Sequence, residues 1–128
     1  MDLFIYLQIA PIEAIRFAHP LQKWVKSSYT DAFLFDADNY SEGIVIEFGK
    51  ESIEKATNIC VLIDAMPDQK LGGITALIER LVRSKGKSLS IFLNGENAMI
   101  EKMLSFSISP IHKGLLDLEI QNEIKTLS

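Results

Sequence analysis

LIDAMPDQKLGGITALI, residues 62–78, passes from an apolar run ending on Asp64, through a polar loop and a Gly-Gly pair, into a helical pattern. Toward the N-terminus, ICVLIDA extends the apolar run back to Ile59 and makes it the strongest buried-strand candidate in the chain. Toward the C-terminus, Leu71, Ile74, Leu77, Ile78, Leu81 and Val82 recur on one helix face, and Gly86 is placed to end that helix with a left-handed residue. SLSIFLNG follows as another strand. Asn94 or Asn97 then caps a helix over ENAMIEKML, with Met99, Ile100, Met103 and Leu104 turned inward. Strand, helix, strand and helix over 59–105 predict a parallel right-handed crossover.

The flanks extend this core. LFIYLQI, residues 3–9, is continuously apolar and rich in aromatic and branched residues, as a central strand should be. Ile12, Ile15, Phe17, Ala18, Leu21, Trp24 and Val25 then keep helical spacing to about Ser28, and Pro20 predicts a kink or two short helices. AFLF and GIVIEF, separated by turn-forming residues, read as a hairpin, and KESIEKATN as a short polar helix. Near the end, LLDLEI alternates like an edge strand, with Ile120, Ile124 and Leu127 also spaced for a helix; the expectation is a strand followed by a short terminal helix. Residues 1–128 thus read as a single α/β domain, a mixed β-sheet with a parallel strand-helix-strand core covered by helices.

Composition agrees. A chain of 128 residues, 48% apolar and 23% charged, suits one globular domain that buries roughly two-thirds of its unfolded surface. Seventeen acidic against thirteen basic residues give a net charge of −4, with no field to hold nucleic acid or anionic lipid. The basic stretch RLVRSKGK falls where a helix should end and there complements the helix dipole. Cys60, the one cysteine, has no partner for a disulfide and reads as a buried spectator in a reducing compartment. The N-terminal run lacks a basic flank and is too short to span a bilayer, so it reads as a strand and the cytoplasm as the location.

Strand-end carboxylates are the first candidates for chemistry, because open α/β sheets bind ligands outside the carboxyl ends of their strands. Asp36, Asp38 and Asp64 all follow apolar runs, and if they converge they offer Mg²⁺ a set of hard oxygen ligands. The same aspartates also serve as ordinary turn residues that bond nearby backbone donors. DADNYSEGIVIE resembles a calcium loop in its acid spacing, but Ser41 stands where the turn requires glycine and Tyr40 where an oxygen ligand belongs. Gly72-Gly73 before a helix suggests a phosphate cradle, yet neither nucleotide-binding glycine fingerprint is present, and glycines that bring the helix close to the sheet explain the pair. His19 and His112 lack any partner spacing for a catalytic triad and read as surface residues; the early aromatics, Phe17 and Trp24 among them, read as packing.

From Ile59 onward the chain resembles a STAS domain, the anti-sigma-factor-antagonist family. A strand ends in Asp64, a loop leads into GITALIERLVRSKG, and SLSIFLNG, a helix and LLDLEIQNEIKTL follow, with AFLFDADNYSEGIVIEF as the opening hairpin. This resemblance covers residues 31–128 and makes residues 1–29 an addition. It implies a bacterial regulatory role, but Gly72 stands where phosphorylated members carry a serine and Thr75 lies further into the helix, so it does not carry over the phosphorylation switch. The same stretch is similar to a response-regulator receiver, a flavodoxin-like fold, through Asp64, Met66, Pro67 and Gly72. There the acidic pair expected after the first strand is absent, only Gln8 being offered, which implies weak Mg²⁺ binding and impaired phosphotransfer to Asp64.

The function expected from these readings is a non-catalytic regulatory or protein-interaction domain without a cofactor. Its partner is a protein, a second copy of the chain included, met through Asp64, Met66, Pro67, Asp68, Gly72, Gly73 and Thr75. The alternative is a small-ligand or Mg²⁺-dependent enzyme, or a degenerate receiver, that uses Asp36, Asp38 and Asp64.

Overall fold

A computed structural model describes residues 1–124. Five strands, β1 (Asp2–Ile9), β2 (Phe33–Asp38), β3 (Asn58–Ala65), β4 (Ser88–Gly95) and β5 (Ile111–Lys113), form one sheet in the order β2-β1-β3-β4-β5. Every pairing is parallel. Between and after them come α1 (Pro20–Ser28), α2 (Ile44–Lys55), α3 (Ile74–Val82), α4 (Ala98–Leu104) and α5 (Asp117–Glu123). The result is a single α/β domain of flavodoxin-like order.

Alternation along the strands separates two cores. Leu3, Ile5, Leu7 and Ile9 of β1 face α2, α3 and α4 in the larger core, together with Ile59, Val61 and Ile63 of β3. Phe4, Tyr6, Cys60, Leu62 and Phe92 face the other way, where Leu21 and Val25 of α1 and Ile120 of α5 cover them. The near-continuous apolar strands follow from this two-sided burial. Cys60 is fully buried, and burial pushes its thiol up to about 12, so it is inert. Among the described residues no helix is long and apolar enough to cross a membrane.

Several local expectations are corrected. GIVIEF is the start of α2 and not a strand, so the hairpin does not form and the sheet is parallel throughout. Burial of Ile46, Gly49, Ser52 and Ile53 on one helical face outweighs the strand preference of its branched residues. LLDLEI is likewise not an edge strand: β5 is the shorter Ile111–Lys113, and Asp117 begins α5, which buries Ile120 with Ile124 following it. Leu127 lies outside the described residues. The third concerns 12–28, where a 3₁₀ turn at Ile12–Ala14 and α1 are separated by an extended stretch, with Pro20 opening α1 as its first residue. Asn97, not Asn94, caps α4; Met99 is exposed, whereas Ile100 and Leu104 are buried. α3 ends at Val82, and Gly86, at φ 71°, sits in the turn beyond it.

The basic stretch 80–87 mainly serves a neighbour. Arg80 pairs with Glu54, and Lys87 Nζ donates to the Glu54 and Ala56 carbonyls at the carboxyl end of α2.

Candidate functional site at the carboxyl edge of the sheet

In this strand order the crossovers after β1 leave to opposite faces of the sheet from those after β2 and β3, and the crevice beyond β1 and β3 is where such sheets hold ligands. Asp64, one residue from the end of β3, stands there in register with Gln8 of β1 and Asn94 of β4. Its carboxylate is already engaged. Tyr6 Oη donates to Asp64 Oδ2 at 2.7 Å and Arg16 Nη2 donates to the same oxygen at 3.0 Å. Arg16 Nε also donates to Tyr6 Oη at 3.2 Å, closing a three-membered network. Burial, followed by the hydrogen bond and charge of Asp64, raises the Tyr6 phenol far above its ordinary range, so it remains a donor.

Gln8 sets this network in place. Its amide is buried at the end of β1, where Nε2 donates to the Arg16 carbonyl at 2.7 Å and Oε1 accepts from the Arg16 N–H at 3.0 Å. Both backbone groups of Arg16 are thereby fixed, and the guanidinium is delivered over Asp64. At the end of β1 an amide thus positions a cation.

His19 corrects the surface expectation. Only 4% exposed, it is the N-cap of α1: Nδ1 accepts from Leu21 N–H at 3.0 Å, while Gln22 Oε1 accepts from His19 N–H at 2.7 Å. Accepting at Nδ1 puts the proton of the neutral ring on Nε2. Nε2 stands 3.9 Å from Asp64 Oδ2 and 3.9 Å from Asp117 Oδ1, beyond hydrogen-bond distance of either. A second proton must go to Nδ1 and would break the cap. Burial lowers the His19 pKa, while Asp64 and Asp117 act upward and Arg16 downward.

The folded protein takes up the His19 proton at lower pH than the unfolded chain, so stability is lost as pH falls below the unfolded value of about 6.5. The expected loss has a limiting slope of about 1.4 kcal/mol per pH unit. Urea unfolding between about pH 7 and pH 5 measures it. His19→Asn keeps a cap acceptor and should flatten this component; an unaltered slope would contradict the assignment.

The other predicted carboxylates lie apart from Asp64. Asp36 accepts from Gln22 Nε2 at 3.1 Å, and Asp38 Oδ1 accepts from Tyr40 N–H at 2.7 Å in a local turn. Among the described residues no group of three or more His, Cys, Asp or Glu could hold a metal ion. The expected Asp36, Asp38 and Asp64 set is therefore not a metal site: β1 separates the two edge-strand acids from Asp64, and each has its own partner.

The loop that follows β3 is held in place. Asn97, buried, donates from Nδ2 to the Met66 carbonyl at 3.0 Å and the Gln69 carbonyl at 3.2 Å, and Met66 N–H bonds to the Ile9 carbonyl. Met66, Pro67 and Asp68 are exposed, with Asp68 at φ 61°. Gly72 has φ 55°, and a Cβ there would stand 2.4 Å from the Asn39 carbonyl oxygen; at Gly73 it would stand 2.7 Å from Ile46 Cγ1. The glycine pair thus admits the loop between β2 and α2 and does not form a phosphate cradle. Thr75 lies in the first turn of α3.

Sequence reasoning missed Tyr6, Arg16, His19 and Asp117 as site residues. The helical spacing of 12–25, even with an interruption at Pro20, gives no sign that Arg16 reaches Asp64. His19 directly before Pro20 was the available signal, a cap residue preceding a first-turn proline. Comparison of the chain with known protein families, curated proteins and solved structures found no match.

Proposed function

We propose that this protein is a cytoplasmic, non-catalytic regulatory domain that binds a protein partner through the carboxyl edge of its sheet. One observation carries the reading: large apolar side chains stand exposed on the loops at the carboxyl edge of the sheet, the same edge at which Arg16 pairs with Asp64. Ile12 and Phe17 follow β1, Met66 follows β3, and Leu116 and Leu118 follow β5; Phe17 is 97% exposed. Exposed apolar side chains on the loops of a rigid scaffold favour a binding surface. Asp64 beneath it is tied to Tyr6 and Arg16, which argues for a structural carboxylate over a phosphoacceptor or metal ligand.

Of the two resemblances, the receiver-like one has the greater support. The STAS-like reading treats residues 1–29 as an addition, whereas β1 lies inside the sheet and pairs with both β2 and β3. Removing it would split the sheet. Asp64 at the end of β3 and the following Met66-Pro67 loop fit a receiver-like order whose acidic partners have been lost.

Affinity capture with the full chain as bait tests the reading through paired variants. Phe17→Ser should reduce retention of a specific partner by roughly tenfold or more, the scale of one lost apolar anchor. Ile108→Ser, at an exposed residue preceding β5, should leave retention unchanged. Equal retention by Phe17→Ser, or no specific partner retained by the natural sequence, would contradict the proposal.

A further inference from the structure

Between α1, the end of β3 and the start of α5 lies a cleft of about 680 Å³, lined by Arg16, His19, Asp64, Asn94 and Asp117, with Leu115, Leu116 and Leu118 forming an apolar wall. Its volume falls in the range of small-molecule sites. The buried His19 ring presents Nε2–H to this cleft between two carboxylate oxygens, each 3.9 Å away, and no protein acceptor meets it among the described residues. A buried donor left unmatched is costly and uncommon. Asn94 on the same wall makes no side-chain hydrogen bond among the described residues, and Asp64 Oδ1 is not used by the Tyr6 and Arg16 bonds, both of which go to Oδ2.

The polarity of these groups selects a ligand class. An anion would meet Arg16 but also Asp64 and Asp117, and the three charges sum to −1. A cation would satisfy Asp117 but face Arg16 and leave the His19 N–H unmatched. A hydroxyl oxygen accepts from His19 Nε2–H and donates its own hydrogen to a carboxylate, and two neighbouring hydroxyls serve Asp64 and Asp117 together. The geometry points to a binding site for a neutral polyhydroxylated small molecule, a sugar or polyol, whose hydroxyls bridge His19 to Asp64 and Asp117 and whose C–H face rests on the leucine wall. This site does not rest on the protein-docking reading, since binding of the small molecule is read directly and without a partner.

Titration of the ¹⁵N-labelled full chain, followed at the His19 imidazole nitrogens, tests the inference. The probes are D-ribose, D-glucose and myo-inositol, with inorganic phosphate and ethylamine as charged comparisons. At least one polyol should shift Nε2 saturably with a Kd in the millimolar range or tighter. Asp117→Asn, at a half-exposed position, keeps an oxygen acceptor but loses the charge and should weaken that binding by roughly fivefold. Three outcomes would overturn the inference: no polyol shifts His19, phosphate or ethylamine binds more tightly than every polyol, or Asp117→Asn leaves the polyol affinity unchanged.

Discussion

Gly95→Ala should destabilise the protein by about 3 kcal/mol or more, the largest loss expected of a methyl group added at any of its glycines. Gly95 closes β4 at φ 84°, and a Cβ there would stand 1.9 Å from the carbonyl oxygen of Ala65 on β3. Left-handed backbone costs an alanine about 1 kcal/mol; the overlap with a backbone atom that cannot move aside supplies the rest. Gly86 provides the comparison: at φ 71° it shares the strained conformation but has nothing within 4 Å of the added Cβ. Gly86→Ala should therefore cost only about 1 kcal/mol. Chemical denaturation of both variants separates strain from collision, and equal losses would show that β3 and β4 are not in such close approach at the site.

Asn97→Ala is expected to cost about 2–4 kcal/mol. One side chain performs three tasks: Oδ1 accepts from Ile100 N–H at the start of α4, and Nδ2 holds the Met66 and Gln69 carbonyls. Loss of the cap costs about 1 kcal/mol, and each remaining bond a similar amount, in a position that is only 3% exposed. Hydrogen exchange should show faster opening both at the start of α4 and in the loop 66–69. Asn97→Ser restores a cap acceptor without the reach to the loop, so it should recover about 1 kcal/mol and protect only α4. If the loop kept its protection in both variants, Asn97 would not be what holds it.

Much of the fold could be read in advance because the deciding segments were long and apolar on both faces. β1, β3, β4 and α3 carry such patterns, and Asn97 acts through the local rules of a helix start, whereas Pro20, expected to interrupt a helix, opens α1. The errors arose where local preference and tertiary burial disagree. The run IVIEF has the branched composition of a strand, yet Ile46 and Ile53, a helical two turns apart, both reach the larger core. In LLDLEI, alternation suggested an edge strand, but Ile120 is buried against α1's side of the sheet in a helix.

The site was less legible than the fold. Asp64 could be placed from its position at the end of an apolar run, but of its partners Tyr6 is hidden in the apolar run of β1 and Arg16 sits in a non-helical stretch before α1 with no periodic signal. Gln8 was visible only as the absence of acids; its role depends on the backbone of Arg16, eight residues on, which no side-chain pattern encodes. Charge pairing between Arg16 and Asp64 joins residues 48 apart in sequence, and only the parallel register brings them together.

The proposed function requires that Asp64 serve Arg16 and Tyr6 and not act as a ligand for a catalytic metal. The most direct measurement is a Mg²⁺ titration of the full chain labelled with ¹³C, read at the Asp64 side-chain carboxyl resonance. That resonance should stay in place through millimolar Mg²⁺, and Arg16→Ala alone should displace it by removing the neighbouring charge. A saturable shift of Asp64 with Mg²⁺ in the natural sequence would contradict the claim and return the carboxylate to the role of metal ligand.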